Sequence, residues 1–374
     1  MKIVIAIDSF KGSLSSMQAG NAVKEAALRL KPDAAVVVKP LADGGEGTVE
    51  ALAGFNAQIV ELFVSDPIGR PVKAAYCILN DTNTAVIEMA ASAGITLVSG
   101  EERNPLETTT YGVGELIRDA INRGCRRFII GIGGSATNDG GTGMLTALGY
   151  EFLDGAGQPI PLGAKGLEKL YRIEDKNVLP QLKECTFRIA CDVNNPLCGE
   201  LGCSAVYGVQ KGATLQMIRD MDLWLKSYAL LAGADPEVPG AGAAGGLGFA
   251  FLAFTNAELK SGIDIVLEEI RLEQEITDAD LVITGEGRLD SQSVMGKAPV
   301  GVAKLAKKYG KTVIAFSGCV TEEAEVCNDH GIDAFFPVLR TVCTLEEALN
   351  CENAYKNLKA TAYQVLRLFW RNDL

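Results

Sequence analysis

KIVIAIDSFKGSLSSMQAGNAVKEAALRLKPDAAVVVK (residues 2–39) reads as strand, helix, strand. Lys2–Ile7 has the near-continuous apolar character of a strand buried on both faces. Ser15 with Gln18 makes a capping box, and Ala19, Ala22, Val23, Ala26 and Leu30 then follow a helical period. Pro32 stops the helix, and Ala35–Lys39 is a second strand. A βαβ unit of this kind implies a parallel sheet.

The same grammar returns at the other end of the chain. Strands are expected at Ala279–Thr284, Thr312–Phe316 and Ala334–Val338, with helices at Pro299–Lys308, Glu322–Asp329 and Ala354–Phe369. The middle is different. Gln58–Val64, Val72–Leu79 and Thr84–Met89 read as a meander with turns at Asp66-Pro67 and Asn80-Asp81. Helices follow at Gly112–Asn122, Gly140–Leu148, Leu215–Leu231 and much of 247–270, with strands at Arg127–Ile132 and Phe187–Cys191. The expected fold is therefore α/β with two α/β domains. One is a parallel-sheet, Rossmann-like or flavodoxin-like domain built from both termini, 1–70 plus 275–374. The other, 71–274, is inserted.

At 374 residues the chain is too long for one ordinary domain and comfortable for two. Apolar residues make up 48% and charged residues 22%, enough for a sizeable core. The net charge of −12 disfavours nonspecific binding to nucleic acid or to an anionic membrane. Ten scattered cysteines form no C-x-x-C and have one histidine, His330, to join them, so they read as reduced thiols of a cytoplasmic protein. His330 itself reads as a helix C-terminal residue, which removes a Ser-His-Asp mechanism. The uncharged stretch Val238–Ala257 carries five glycines, a proline and polar residues and reads as a buried helix after a glycine loop.

The chemistry sits in loops after strands, where ligands bind in open α/β sheets. DSFKGSLSS (8–16) offers Asp8 and Ser9 to a ligand and Lys11 to a carboxylate or phosphate. ADGGEGT (42–48) holds Asp43 and Glu46, suited to a metal or to capping the next helix. GIGGSATNDGGTG (131–143) offers backbone N–H donors and short oxygen ligands for phosphates and Mg²⁺, without being a Walker or strict Rossmann motif. In DVNNPLCG (192–199), Asp192 can take a proton from a hydroxyl or ligate Mg²⁺. TGEGRLDSQS (284–293) with GKAP (296–299) supplies Glu286, Arg288, Asp290, Ser293 and Lys297. There Arg288 and Lys297 can clamp phosphate or carboxylate, while the acids hold a metal or orient a hydroxyl. Arg70, in SDPIGRPV (65–72), reads first as part of a structural turn. AGAAGGLG (241–248) is either close packing or a backbone nest.

In this order, DSFKGSLSS, ADGGEGT, GIGGSATNDGG, DVNNPLCG, GAAGGLG and LVITGEGRLDSQS resemble the bacterial glycerate kinases of the first type. The resemblance runs from residue 3 to roughly 340 and implies a transferase that phosphorylates (R)-glycerate with ATP, its site in the cleft between two domains. Members commonly give 2-phosphoglycerate; 3-phosphoglycerate and a catalytically silent sugar-acid sensor are the alternatives. With glycerate as substrate, Lys11 and Arg288 are expected to pair its carboxylate, with Asp8, Ser9, Arg70 and Ser293 also at substrate. Asp192 is expected as base, with Asp290 its runner-up. Gly133, Gly134, Ser135, Thr137, Asn138, Gly140, Gly141 and Lys297 would hold nucleotide, and Asp43, Glu46, Asp139 and Glu286 the Mg²⁺. Partners are the small molecules alone, with no nucleic acid and no membrane; a homo-oligomer is left open.

Overall fold

The computed structural model describes residues 1–42, 48–53, 56–294 and 296–371. They divide into two compact units, Met1–Gly54 with Gly262–Leu374, and Phe55–Ser261.

The first unit is built on a five-stranded sheet, in spatial order Ala334–Pro337, Thr312–Val320, Leu281–Leu289, Lys2–Ile7, Ala35–Val38. Every pairing in it is parallel. The N-terminal strand lies between two neighbours, with Ile5 opposite Ile283 on one side and Val38 on the other. Burial on both faces accounts for the unbroken apolar run Ile3–Ile7. The helix Ser16–Leu30 starts at the expected capping box: Gln18 N donates to Ser15 Oγ at 3.3 Å, and Ser15 N donates to Gln18 Oε1 at 2.9 Å. Its Ala19, Ala22, Val23, Ala26 and Ala27 share a core with Leu358, Ala362 and Leu366 of the helix Cys351–Phe369. Ser16 adds a second function. Its Oγ donates to Ile7 O at 2.6 Å and accepts from Leu41 N at 2.7 Å, joining the ends of two strands to the helix start.

The strands leading to the chemistry are longer than their apolar runs. Leu281–Leu289 was expected to stop at Thr284, and Thr312–Val320 at Phe316. Mutual pairing carries both onward, with Glu286 opposite Ser317 and Arg288 opposite Cys319. Backbone hydrogen bonding between neighbours is indifferent to side-chain polarity, so hydropathy does not reveal it.

The second unit has a six-stranded sheet, in order Ala257–Lys260, Thr186–Ala190, Arg127–Gly131, Thr84–Glu88, Pro71–Leu79, Ala57–Ser65. The first four strands are mutually parallel, and the last three form the expected antiparallel meander. Phe128 stacks on Phe187 at 4.8 Å across neighbouring strands. The helical expectation for 247–270 needs correction. The helix Ala243–Phe254 ends where Thr255 Oγ1 bonds Phe251 O at 2.6 Å. Ala257–Lys260 then pairs with Thr186–Ala190 as an edge strand before a new helix, Gly262–Glu269. AELK alternates like a strand, but its pairing partner lies some 70 residues back in sequence, roughly the distance local patterns cannot see. The uncharged stretch does form a buried helix, and among the described residues no helix is long and apolar enough to cross a membrane.

Ser16→Ala is expected to lower the stability of the first unit by about 1–3 kcal/mol, since two buried hydrogen bonds go with one hydroxyl. Urea unfolding followed at Trp370, which belongs to that core, measures it.

Candidate functional site

In the first unit the candidate residues gather where the parallel strands end. Asp8 directly follows the first strand, donates its N–H to Gly285 O at 2.9 Å, and accepts from Ser9 N at 2.6 Å. Lys11 is exposed in a tight turn closed by Phe10 N to Leu14 O at 2.8 Å. The turn lies against Gly287, where a Cβ would come within 3.3 Å of the Phe10–Lys11 backbone. Gly287 thus sets the Lys11 turn beside the polar end of Leu281–Leu289.

That strand end carries a compact charge network. Glu286, only 8% exposed, accepts from Ser293 Oγ at 2.5 Å, and Ser293 Oγ accepts from Asp290 N at 3.2 Å. Lys297 Nζ lies 3.4 Å from Asp290 Oδ1 and 3.8 Å from Glu286 Oε2. Arg288 Nε is 3.2 Å from Asp290 Oδ2, with most of the side chain in solvent. The structure therefore brings Glu286, Arg288, Asp290, Ser293 and Lys297 together. Lys297 precedes the helix Ala298–Lys307, whose first turn contains Pro299. Asp43 and Glu46 lie outside the described residues.

In the second unit the loop after Arg127–Gly131 is divided in two. Gly133 and Gly134 are exposed, and the N–H groups of Gly133, Gly134 and Ser135 donate to no backbone carbonyl among the described residues. From Ser135 to Gly141 the chain is buried. Asp139 organises this inner half. Its Oδ2 accepts from Thr110 N at 2.8 Å, Thr110 Oγ1 at 2.9 Å, Gly143 N at 3.2 Å and Thr109 Oγ1 at 3.3 Å. Oδ1 accepts from Gly141 N at 3.1 Å. Burial pushes the carboxyl pKa up, and the donors from Thr110, Gly141 and Gly143 oppose the shift. Both oxygens are thus engaged in holding the loop and the start of Thr142–Ala147. Thr137 and Asn138 also turn inward, with Asn138 Nδ2 donating to Ser204 Oγ at 2.8 Å.

AGAAGGLG packs against this inner half. Gly140 N donates to Gly245 O at 3.0 Å, and a Cβ on Gly245 would collide with the Thr137 carbonyl. Ala244, Gly245 and Gly246 are all left-handed, a run that turns the chain closely enough for the contact. The other side of this segment meets DVNNPLCG, where Gly242 N donates to Asn195 O at 2.9 Å. Of the two readings open for AGAAGGLG, the packing one matches its surroundings. Asp192 is exposed just past Thr186–Ala190, while Asn195 is tied to Leu201 O at 2.8 Å and Tyr207 OH at 2.7 Å.

Two side chains stand apart from these clusters. Arg70 bonds Asp66 at 2.7 Å, Glu102 at 2.8 Å and Leu97 O at 3.2 Å, which staples its own turn. His330 closes the short helix Val326–Asp329, its Nδ1 2.9 Å from Val326 O.

Lys211 is the residue the sequence did not disclose. It ends the short turn Val209–Lys211, is 3% exposed, and donates to Ser135 Oγ at 2.8 Å and Thr137 O at 2.7 Å. Burial lowers its pKa to about 8, with Cys203 and Asp139 opposing the shift. The neighbouring Cys203 thiol is pushed up to about 11 by burial. In sequence Lys211 is one lysine among many, and only Gly212 beside it hints at a tight approach.

A family model described as the glycerate kinase family matches residues 3–370. The glycerate 2-kinase of Escherichia coli is 50% identical over 364 residues, covering 96% of this chain and 95% of its own. The glycerate kinase of Haemophilus influenzae is 47% identical over 374 residues, covering 98% of each. A solved structure from Salmonella typhimurium LT2, whose name contains the words "glycerate kinase 2", superposes with a TM-score of 0.92 at 47% identity over 100% of both chains.

Asp139→Ala strands several buried donors at once and is expected to destabilise the second unit by roughly 3–5 kcal/mol. Urea unfolding followed at Trp224, which packs against that unit's core, provides the measurement.

Proposed function

The chain belongs to the glycerate kinase family, and we propose that it transfers the γ-phosphoryl group of ATP to the 2-hydroxyl of (R)-glycerate. The 2-position is supported by the relative named glycerate 2-kinase. The observation that carries the reading from the residues themselves is the network of Glu286, Arg288, Asp290, Ser293 and Lys297 at a strand end. Phosphoryl transfer asks for positioning and charge neutralisation rather than covalent chemistry, and this network offers both signs of charge in fixed geometry.

Lys11 and Arg288 are assigned to the glycerate carboxylate, both exposed, Lys11 in the turn after the first strand and Arg288 near the end of Leu281–Leu289. Asp8, Ser9 and Ser293 help orient the substrate hydroxyls. Asp192 accepts the proton of the attacking hydroxyl, with Asp290 second because it already bonds Arg288 and Lys297. The N–H groups of Gly133, Gly134 and Ser135, which donate to no backbone carbonyl among the described residues, take phosphate oxygens, while Thr137, Asn138, Gly140 and Gly141 shape the loop from beneath. Lys297 neutralises phosphate charge. Arg70 is assigned to its turn and not to substrate.

Mg²⁺ is proposed with ATP. Among the described residues no group of three acids, cysteines or histidines could hold a metal. Mg²⁺ takes one or two carboxylates and completes its shell with phosphates and water. Glu286, with Asp290 beside it, is a two-carboxylate set of this kind, and Asp43 and Glu46 are proposed to join it. Asp139 is assigned to loop structure, since its oxygens are already filled by donors. When bound, the ion would neutralise phosphate charge. The free cysteines support a cytoplasmic location.

³¹P NMR of the product from ATP, Mg²⁺ and (R)-glycerate should show 2-phosphoglycerate; the 3-phosphate would overturn the position, and neither product would overturn the kinase. Asp192→Asn should lower kcat by about 10²-fold or more, and a near wild-type kcat would remove it as base. Arg70→Ala should leave kcat and both KM values unchanged in steady-state assays.

A further inference from the structure

A lysine buried to 3% exposure is unusual, because taking an ammonium out of water is strongly unfavourable unless an opposite charge compensates. Both acceptors of Lys211 are neutral oxygens, Ser135 Oγ and the Thr137 carbonyl. The nearest acidic influence, Asp139, spends its carboxylate on Thr109, Thr110, Gly141 and Gly143. Thr137 Oγ1 and Asn138 Oδ1 are also buried beside it without a hydrogen-bond partner among the described residues. The chain therefore keeps a buried positive charge, bonded to neutral oxygens and only partly offset by Asp139, directly beneath a loop whose outer N–H groups meet no backbone acceptor among the described residues.

The hydrogen-bond directions give this charge a function. An ammonium has donors only, so Ser135 Oγ must accept from Lys211. The hydroxyl proton of Ser135 is then free to be donated away from the lysine. The Thr137 carbonyl, pinned by the same ammonium, holds the next bend of the loop in place. An anion seated on the N–H groups of Gly133, Gly134 and Ser135 would meet an oriented hydroxyl and the field of a charge screened from water.

We infer that Lys211 is a positioning residue that orients Ser135 and builds, with the Gly133–Ser135 N–H groups, a seat for a phosphate group of the nucleotide. The inference rests on the kinase reading above. The lysine acts through Ser135 and the loop, and so bears on nucleotide affinity and not on glycerate affinity.

The test uses the full chain and its Lys211→Met, Lys211→Arg and Ser135→Ala variants, with melting temperatures as a check on folding. KM for ATP and for glycerate are measured separately, and ATP binding by equilibrium dialysis. Lys211→Met should raise KM and Kd for ATP by about 10- to 100-fold, the range of a lost charged hydrogen bond, and leave KM for glycerate unchanged. Lys211→Arg should restore part of the loss. Ser135→Ala, which deletes one hydroxyl and keeps the lysine, should also weaken ATP selectively, so the proposal stays testable if Lys211→Met fails to fold. Equal weakening of ATP and glycerate, or wild-type ATP affinity in Ser135→Ala or in folded Lys211→Met, would overturn it. A wild-type chain that binds ATP without phosphorylating glycerate would count against the substrate reading alone.

Discussion

In a parallel ladder every strand points the same way, so each loop that follows a strand emerges at the same edge of the sheet. The first unit obeys this constraint throughout. Lys2–Ile7, Ala35–Val38, Leu281–Leu289 and Thr312–Val320 run together; Asp8, Lys11, Asp290 and Lys297 follow them onto that edge, and Glu286 lies among the last pairs of its own strand. The second unit meets the same condition in its four parallel strands, which deliver the glycine loop after Gly131 and Asp192 after Ala190. The antiparallel meander supplies three of its strands and none of these residues, apart from Arg70 in its first turn.

The two units treat charge differently. In the first, acids and bases are interleaved and partly solvated, so Glu286, Asp290, Arg288 and Lys297 balance one another over short distances. In the second, charge is buried. Asp139 is surrounded by donors, and Lys211 is placed on neutral oxygens with its pKa drawn down to about 8. The two buried groups brace one loop at two points. Asp139 holds its exit into Thr142–Ala147, and Lys211 holds its middle at Ser135 and Thr137.

Much of this was legible beforehand for physical reasons that differ from element to element. The capping box at Ser15 and the run Ile3–Ile7 are local signals, decided by neighbours within four residues or by burial on both faces. The meander announced itself through turn residues. The strand Ala257–Lys260 and the extensions through GEGRL and SGCV were not legible, because a ladder depends on which distant segment lies alongside. Glycine content marked 131–141 and 241–248 as special without saying that one packs against the other, as Gly140 and Gly245 do.

The sequence by itself determined the fold class and the family to which the chain belongs, and it marked the glycine- and charge-rich loops, since all three rest on contiguous residues. Tertiary structure alone decided the work of individual side chains within those loops. Asp139, an apparent metal ligand in one dimension, is enclosed by threonines 29 and 30 residues away. Lys211, unremarked in one dimension, donates to Ser135 across 76 residues. Side-chain function depends on burial and on the hydrogen-bond partners that folding supplies, and neither is a local property of the chain.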